Sequence, residues 1–421
     1  MSTRGEHLVH ADRRFATGGG KIARLTAPAV CKLLDQIDRR LAAGGLEITL
    51  PNRSRRRLGF HDKGPRADVR LSSWLALVRL ATSGSVGWYK AWSLGEWSSP
   101  NPVVLFELFS ANAVPLGDIG RAKGAFRWIN ALAHRLRDNA PRKARQNIAA
   151  HYDLGNDFYS AWLDATMTYS SARFATPGDS LEAGQLHKVH TLLDRLELRP
   201  GERLLEIGCG WGTLAIEAAK RGVCVVGLTL SSEQKEWAER KIAEAQLSDR
   251  IEIRLCDYRD VAEQFDAVAS VEMVEAVGRR WWGAYLDCIA RNLKPGGRAA
   301  LQFISFDHRS FDRYAHNADF IQTYIFPGGL LLDEPTFEAL ARERGLAWQD
   351  REGFGLDYAE TLKRWRARYD EAVTGGALRG FAEGFHNLWR YYLMYCEGGF
   401  RGGAIDVAQI TMVKTRDSQV G

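Results

Sequence analysis

Residues 206–212 read Glu-Ile-Gly-Cys-Gly-Trp-Gly, directly after Arg203-Leu204-Leu205 and directly before a helical pattern. Glycines at 208, 210 and 212 permit a tight turn and bring the backbone close to a ligand at a helix N-terminus. A dinucleotide turn has the spacing G-x-G-x-x-G, whereas this one is G-x-G-x-G with an acidic residue two positions ahead. With no pyrophosphate to hold and a carboxylate nearby to favour positive charge, the turn suits the amino acid and sulfonium end of S-adenosylmethionine. Glu206, Gly208, Gly210, Trp211 and Gly212 are therefore candidate cofactor residues. Where many such sites carry an acid for the ribose hydroxyls, this chain has Gly227-Leu228-Thr229-Leu230-Ser231. Hydroxyls such as that of Thr229, and the Gln234 amide, must then do the polar work. Asp257 and Tyr258 can bond to and stack with the adenine.

The elements that would position these residues alternate. Strands are expected at Arg203–Ile207, Cys224–Leu228, Ile251–Leu255, Phe265–Val271, Arg298–Ile304, Leu346–Asp350 and Val407–Val413. Helices are expected between them at Trp211–Lys220, Ser232–Ala245, Trp281–Asn292 and Glu334–Glu343. This rhythm predicts an α/β fold with a seven-stranded Rossmann-like methyltransferase sheet, the last strand antiparallel, plus a smaller N-terminal α+β domain. Three segments are expected: 1–120 as the small domain, 121–146 as a basic linker helix, and 147–421 as the catalytic domain. The small domain would begin with a helix at Pro28–Ala43 and a strand at Leu46–Leu50, with a turn at Ser83–Gly87 and a helical stretch at Val103–Ala111. Two aromatic-rich insertions, Ser305–Asp333 and Tyr358–Arg401, lie where a substrate pocket would be built.

A chain of 421 residues, 45% hydrophobic, has ample material for two domains. No apolar run reaches the roughly 18–20 residues of a membrane span, and the polar, Gly-rich start lacks the apolar core of a secretory signal. A cytoplasmic protein, peripheral to the inner face of the membrane, is expected. Six cysteines without a C-x-x-C pair suggest neither zinc nor disulfides, so no metal is expected. The net charge of +6 makes anionic partners plausible. Between Arg121 and Arg145 eight basic residues face only Asp138, and Phe126, Ile129 and Leu136 recur at helical spacing. Such a helix either lies on an anionic bilayer or packs its stripe between domains.

Further segments carry a resemblance. They are His151-Tyr152-Asp153-Leu154-Gly155-Asn156-Asp157-Phe158-Tyr159, Thr168-Tyr169-Ser170-Ser171-Ala172, Ser270-Val271-Glu272-Met273, Tyr324-Ile325-Phe326-Pro327-Gly328-Gly329 and Trp389-Arg390-Tyr391-Tyr392. With the glycine turn and the segments around Thr229 and Asp257, they make the chain resemble the cyclopropane fatty acid synthase family over roughly two thirds of its length. The resemblance implies S-adenosylmethionine-dependent transfer of a one-carbon unit to the double bond of unsaturated phospholipid acyl chains. It adds Tyr169 and Ser170 to the cofactor set. Its partners would be those acyl chains, an anionic membrane surface touched by the basic linker helix, and a second copy of the chain as a homodimer, with no nucleic acid.

In the family's chemistry, as the resemblance implies it, the alkene attacks the sulfonium methyl and the resulting cation loses a proton to a bound bicarbonate. The matching positions are Glu275, Tyr358, Ile304, Ser171 and Gln302. Ser171 stands where cysteine is usual and Gln302 where histidine is usual, so the bicarbonate site is altered. A hydroxyl and an amide still donate hydrogen bonds but hold no positive charge. The product is then either a cyclopropane or a methyl-branched unsaturated chain. Glu275 has the simpler alternative of capping amides at a helix start. The cation needs a dry pocket, for which Trp281, Trp282, Phe320, Tyr324, Phe326, Phe354 and Tyr391 are candidate walls. The rival readings are a methyltransferase of the same fold acting on RNA or a small molecule, and a non-catalytic lipid-binding relative.

Overall fold

Leu204, Leu205 and Ile207 form an apolar run with no exposed alternate, the pattern of a strand covered on both faces. In the computed structural model, which describes residues 4–14, 27–117, 119, 154–316 and 319–415, that run is an interior strand of a seven-stranded sheet. The chain groups into two compact units that are not contiguous in sequence. One comprises Met1–Asp138, Phe306–Pro327 and Trp365–Ile405; the other comprises Asn139–Ser305, Gly328–Arg364 and Asp406–Gly421.

The second unit carries the large sheet. Its strands are β5 (Arg203–Ile207), β6 (Cys224–Thr229), β7 (Ile251–Leu255), β8 (Phe265–Val271), β9 (Leu293–Phe306), β10 (Leu346–Gly353) and β11 (Ile405–Lys414). The order is β10-β11-β9-β8-β5-β6-β7. β5 pairs in parallel with β6 and β8, β8 with β9, and β10 with β11 antiparallel, as expected of a methyltransferase sheet. The chain leaves β5 toward β6 and β7, then returns to the other side of β5 as β8. The carboxyl ends of β5 and β8 thus flank the switch point where ligands bind in open α/β sheets. Helices Leu181–Asp194, Thr213–Lys220 and Ser232–Glu244 cover the sheet. Ser180 and Ser231 cap two of them, accepting from Ala183 N at 3.1 Å and Gln234 N at 3.2 Å. Val189, Leu192, Leu204, Leu214, Ala218, Val225 and Ile253 pack into one core, each large side chain contributing about 1.5–3 kcal/mol by leaving water.

The first unit holds a four-stranded sheet in the order β2-β1-β3-β4, formed by β1 (Gly45–Thr49), β2 (Arg55–Leu58), β3 (Arg66–Leu71) and β4 (Trp97–Ser98). Helix Glu383–Arg401 lies on Pro102–Ala111, and glycine is what allows the approach. A Cβ on Gly398 would meet Phe106 Cβ at 2.4 Å, and one on Gly402 would meet Glu107 O at 2.4 Å. The segments 306–327 and 365–405, read above as insertions of the catalytic domain, therefore cluster with the N-terminal residues. Phe320, Tyr324 and Tyr391, offered above as pocket walls, close around Tyr89 at ring separations of 4.7–5.0 Å within this unit. The turn expected at Ser83–Gly87 is instead a kink at Gly84 (φ 59°, ψ −139°) inside the helical stretch Leu75–Ser93. The glycines there serve contact as well as turning, since a Cβ on Gly87 would meet Arg79 O at 2.2 Å.

No described helix is long and apolar enough to cross a membrane. The basic segment 121–146 and His151-Tyr152-Asp153 lie outside the described residues. Cys209, Cys224, Cys256, Cys288 and Cys396 are free thiols.

Candidate active site

The glycine turn leaves β5 with Gly208, Gly210 and Gly212 at φ 83°, 52° and 91°. The N–H groups of Gly208 and Cys209 both donate to Leu228 O of β6, at 3.0 and 2.8 Å, which pins the turn to the neighbouring strand. A Cβ on Gly208 would strike Met273 at 2.8 Å, while one on Gly210 would meet nothing within 4 Å. The turn therefore opens onto free space at Gly210. Glu206 is buried, and its Oε2 has no partner among the described residues. Burial pushes its pKa up to about 8. A buried carboxyl left with a vacant acceptor is satisfied by a hydroxyl or ammonium donor from a ligand, and a ligand's positive charge would restore its ionisation. Glu206 and the opening at Gly210 thus fit S-adenosylmethionine.

The other cofactor candidates gather around this turn, with differences of detail. Trp211 donates from Nε1 to Asn156 Oδ1 at 2.7 Å, and its ring lies 5.2 Å from Tyr159, which lies 5.4 Å from Tyr169. Thr229 donates to Gln234 Oε1 at 2.8 Å, so the two residues expected to serve the ribose are preoriented by one another. Ser170 accepts from Lys188 Nζ at 2.6 Å. Both oxygens of Asp257 are held by Arg259, at 2.7 and 2.8 Å. Burial raises the Tyr258 hydroxyl to about 12, and the ring meets Tyr285 edge-on at 5.4 Å.

Beyond β8 the structure assembles a second centre around a residue that sequence reasoning did not single out. Glu272 follows the last residue of β8, in the left-handed region at φ 47°. Its N–H donates to Gln302 O at 2.8 Å, and the β8–β9 register places Val271 opposite Gln302. Three donors converge on its carboxylate. Oε1 accepts from Ser171 N at 2.9 Å and Gln302 Nε2 at 2.8 Å, and Oε2 accepts from Tyr358 OH at 2.7 Å. Gln409 of β11 donates to Gln302 Oε1 at 3.1 Å and so fixes which end of the amide faces Glu272. Ser171, Gln302, Tyr358 and Gln409 are buried, whereas Glu272, like Glu275, is part-buried. Poor hydration raises its pKa, and the Lys188 charge, the Tyr358 hydroxyl, the Ser171 N–H and the Gln302 amide oppose that rise. Lys188 is completely buried, which depresses its pKa to about 8.

Ser171, Gln302 and Tyr358 are thus brought together as expected, but on Glu272. Ser171 acts through its backbone N–H, because its hydroxyl donates to Ala172 O at 2.7 Å rather than to an anion. Glu275 stands apart on the short turn Val274–Ala276. Its Oε1 accepts from Ile304 N at 2.5 Å, and its buried Oε2 has no partner among the described residues. Burial and then the charge of Glu272 push Glu275 up to about 8. Glu275 is therefore protonated at pH 7, and of the two carboxyls Glu272 is the one with donors and a lysine charge that favour its ionised form. Two donors assigned by resemblance to bicarbonate, the Gln302 amide and the Tyr358 hydroxyl, already serve a protein carboxylate, and the third, the Ser171 hydroxyl, is spent on Ala172 O. A second anion on them would stand beside Glu272, and two like charges about 4 Å apart repel by about 4 kcal/mol at an effective dielectric of 20. These residues do not fit a bound bicarbonate.

Two signals could have exposed this centre. Glu272 is a carboxylate immediately after a parallel strand, two positions into Val271-Glu272-Met273. Gln185 and Lys188 fall on the buried stripe of Leu181–Asp194 along with Leu181, Leu192 and Val189, where a lysine is costly unless it faces a charge.

Comparison with known proteins agrees with this architecture. The sequence profile described as mycolic acid cyclopropane synthetase matches residues 139–410. The chain is 40% identical over 352 residues to tuberculostearic acid methyltransferase UfaA1 of Mycobacterium tuberculosis, covering 80% of each protein. It is 33% identical over 363 residues to cyclopropane-fatty-acyl-phospholipid synthase of Escherichia coli K12, covering 85% of this chain and 90% of the relative. The crystal structure of mycolic acid cyclopropane synthase CmaA1 complexed with SAH and CTAB superposes with a TM-score of 0.60 at 32% identity, over 64% of this chain and 98% of that one. A methyltransferase sheet, a glycine turn suited to a sulfonium cofactor and these matches lead to one assignment: the chain is an S-adenosylmethionine-dependent methyltransferase of the cyclopropane synthase family.

Proposed function

We propose that this enzyme adds the methyl carbon of S-adenosylmethionine to the double bond of an unsaturated acyl chain carried on a phospholipid, and that the product keeps a methyl branch and a double bond. The observation that carries the reading is the adjacency of two centres at the switch point: the glycine turn after β5 and the hydrogen-bonded carboxylate after β8. When bound, S-adenosylmethionine supplies an electrophilic methyl group on a positively charged sulfur. The alkene's π pair forms the new C–C bond as the C–S bond breaks, leaving a cation on the acyl chain. Loss of a proton from a chain carbon next to the cation then gives an alkene, whereas loss of one from the new methyl closes a ring. The 40% identical relative is named for a methyl transfer, which supports the branched product. The relatives named as cyclopropane synthases, at 33% identity, support the ring as the second reading.

The residues expected to act are Glu206, Gly208, Gly210, Trp211, Gly212, Tyr169, Ser170, Thr229, Gln234, Asp257 and Tyr258 toward the cofactor, and Ser171, Gln302, Ile304, Tyr358 and Glu275 toward the reacting carbons. The basic segment 121–146 is proposed to hold the enzyme on anionic lipid, so that vesicle binding falls as salt rises.

The test supplies cofactor deuterated on its methyl together with vesicles of dioleoyl phosphatidylglycerol, then analyses the released acyl chains. A one-carbon gain with a cleavable double bond gives the branched product. The same gain without a cleavable double bond gives the ring. Deuterium absent from the acyl fraction refutes lipid methylation.

A further inference from the structure

We propose that Glu272 is the proton acceptor of this reaction, a base built into the chain that makes an external bicarbonate unnecessary. The inference rests on the preceding reading, since only an alkylated alkene leaves a cation that must lose a proton.

A proton acceptor here has to be anionic, reachable and at the carboxyl edge of the sheet. Of the four carboxylates described above near that edge, three are unsuited. Glu206 belongs to the cofactor turn, and Glu275 is held neutral by burial and by its charged neighbour. Asp257 has both oxygens engaged by Arg259. Glu272 is part-buried and alone among them has three donors converging on its carboxylate, with the charge of buried Lys188 also favouring its ionised form.

The geometry also selects the atom. Oε1 accepts two hydrogen bonds and is saturated, while Oε2 accepts one, from Tyr358, and retains a lone pair. The C–H bond of the cation breaks, its electron pair becomes the new C–C bond of the alkene or ring, and the proton passes to Oε2 and leaves Glu272 neutral. The base can be weak because a carbon next to a cation is strongly acidic, so position decides the rate. That position is held at the expense of backbone strain. A non-glycine residue at φ 47° persists only where its surroundings over-determine it, and here the N–H bond to Gln302 O and three donors on the carboxylate do so.

The experiment uses the full chain with labelled cofactor and dioleoyl phosphatidylglycerol vesicles, in carbon dioxide-free buffer and with added bicarbonate. Wild type is expected to run at the same initial rate, within twofold, in both buffers. Glu272→Gln should lose at least 100-fold in either buffer. Glu272→Gly, which removes the carboxylate and relieves the φ strain, should be equally slow without bicarbonate and regain at least tenfold with it, as the anion enters the vacated donors. Calorimetric titration with S-adenosylmethionine checks that each variant is folded and binds cofactor like wild type. A wild-type rate that collapses without bicarbonate and returns with it overturns the proposal, as does a Gln variant of wild-type activity. If wild type itself labels no acyl chain in either buffer, the lipid reading fails, and that result is distinct from either of these.

Discussion

Replacing Tyr358 by phenylalanine removes one hydroxyl and with it the single hydrogen bond to Glu272 Oε2, 2.7 Å long, while Ser171 N and Gln302 continue to hold Oε1. The carboxylate should stay in place and lose only stabilisation of its charged form. A hydrogen bond to a charged group is worth about 1.5–3 kcal/mol, and 1.36 kcal/mol corresponds to about one pKa unit. The Glu272 pKa should therefore rise by about 1–2 units. Since the ionised carboxylate is the active form, kcat/KM rises with pH through that pKa, and the acid limb of the profile should move upward by the same amount. At a pH on the wild-type limb, activity should fall by about 10–100-fold, whereas at the alkaline plateau it should approach wild type. The assay is the initial rate of methyl incorporation into acyl chains across the pH range, with cofactor affinity measured separately. A loss that is uniform at every pH, with the limb unmoved, would refute the hydrogen bond's role in holding Glu272 ionised.

Three more outcomes are expected. Gly210→Ala places its Cβ in space where no protein atom lies within 4 Å, so the cost of about 1–2 kcal/mol from a left-handed non-glycine residue should be accompanied by a loss of S-adenosylmethionine affinity of at least tenfold; unchanged affinity in calorimetry would show that the turn does not face the cofactor. Gln409→Met withdraws the donor that orients the Gln302 amide and should cost about 1–3 kcal/mol in stability, lowering kcat far more than it changes cofactor affinity; an unchanged kcat would show that Gln302 orients itself. Glu206 and Glu275 have folded pKa values near 8 against an ordinary 4.5, so the folded state binds more protons and these groups make stability fall as pH rises from about 4.5 to 8. Lys188, depressed to about 8 from 10.5, binds fewer protons when folded and makes stability rise between those values. Melting temperatures across pH without cofactor check this, and Glu206→Gln should flatten the first slope.

Periodicity alone determined the seven strands of the large sheet, because buried parallel strands must be continuous apolar runs and the helices between them must show a single apolar stripe. The glycine turn was equally legible, since three left-handed positions so close together at the start of a helix admit little but glycine. Ser171, Gln302 and Tyr358 were singled out only by the family resemblance, since they lie 131 and 56 residues apart in the chain and no local pattern links them, yet they meet on one carboxylate. Which carboxylate they meet was a tertiary decision. Glu272 and Glu275 are three residues apart and of one type, and only the left-handed turn at Glu272, the β8–β9 register and the approach of Tyr358 send one side chain into the donors and leave the other on Ile304 N. The same holds for the partition of 306–327 and 365–405, whose aromatic stripes reveal that they are buried but not against what. Local pattern records whether a side chain leaves water; its partner is chosen by residues brought near only when the chain has folded.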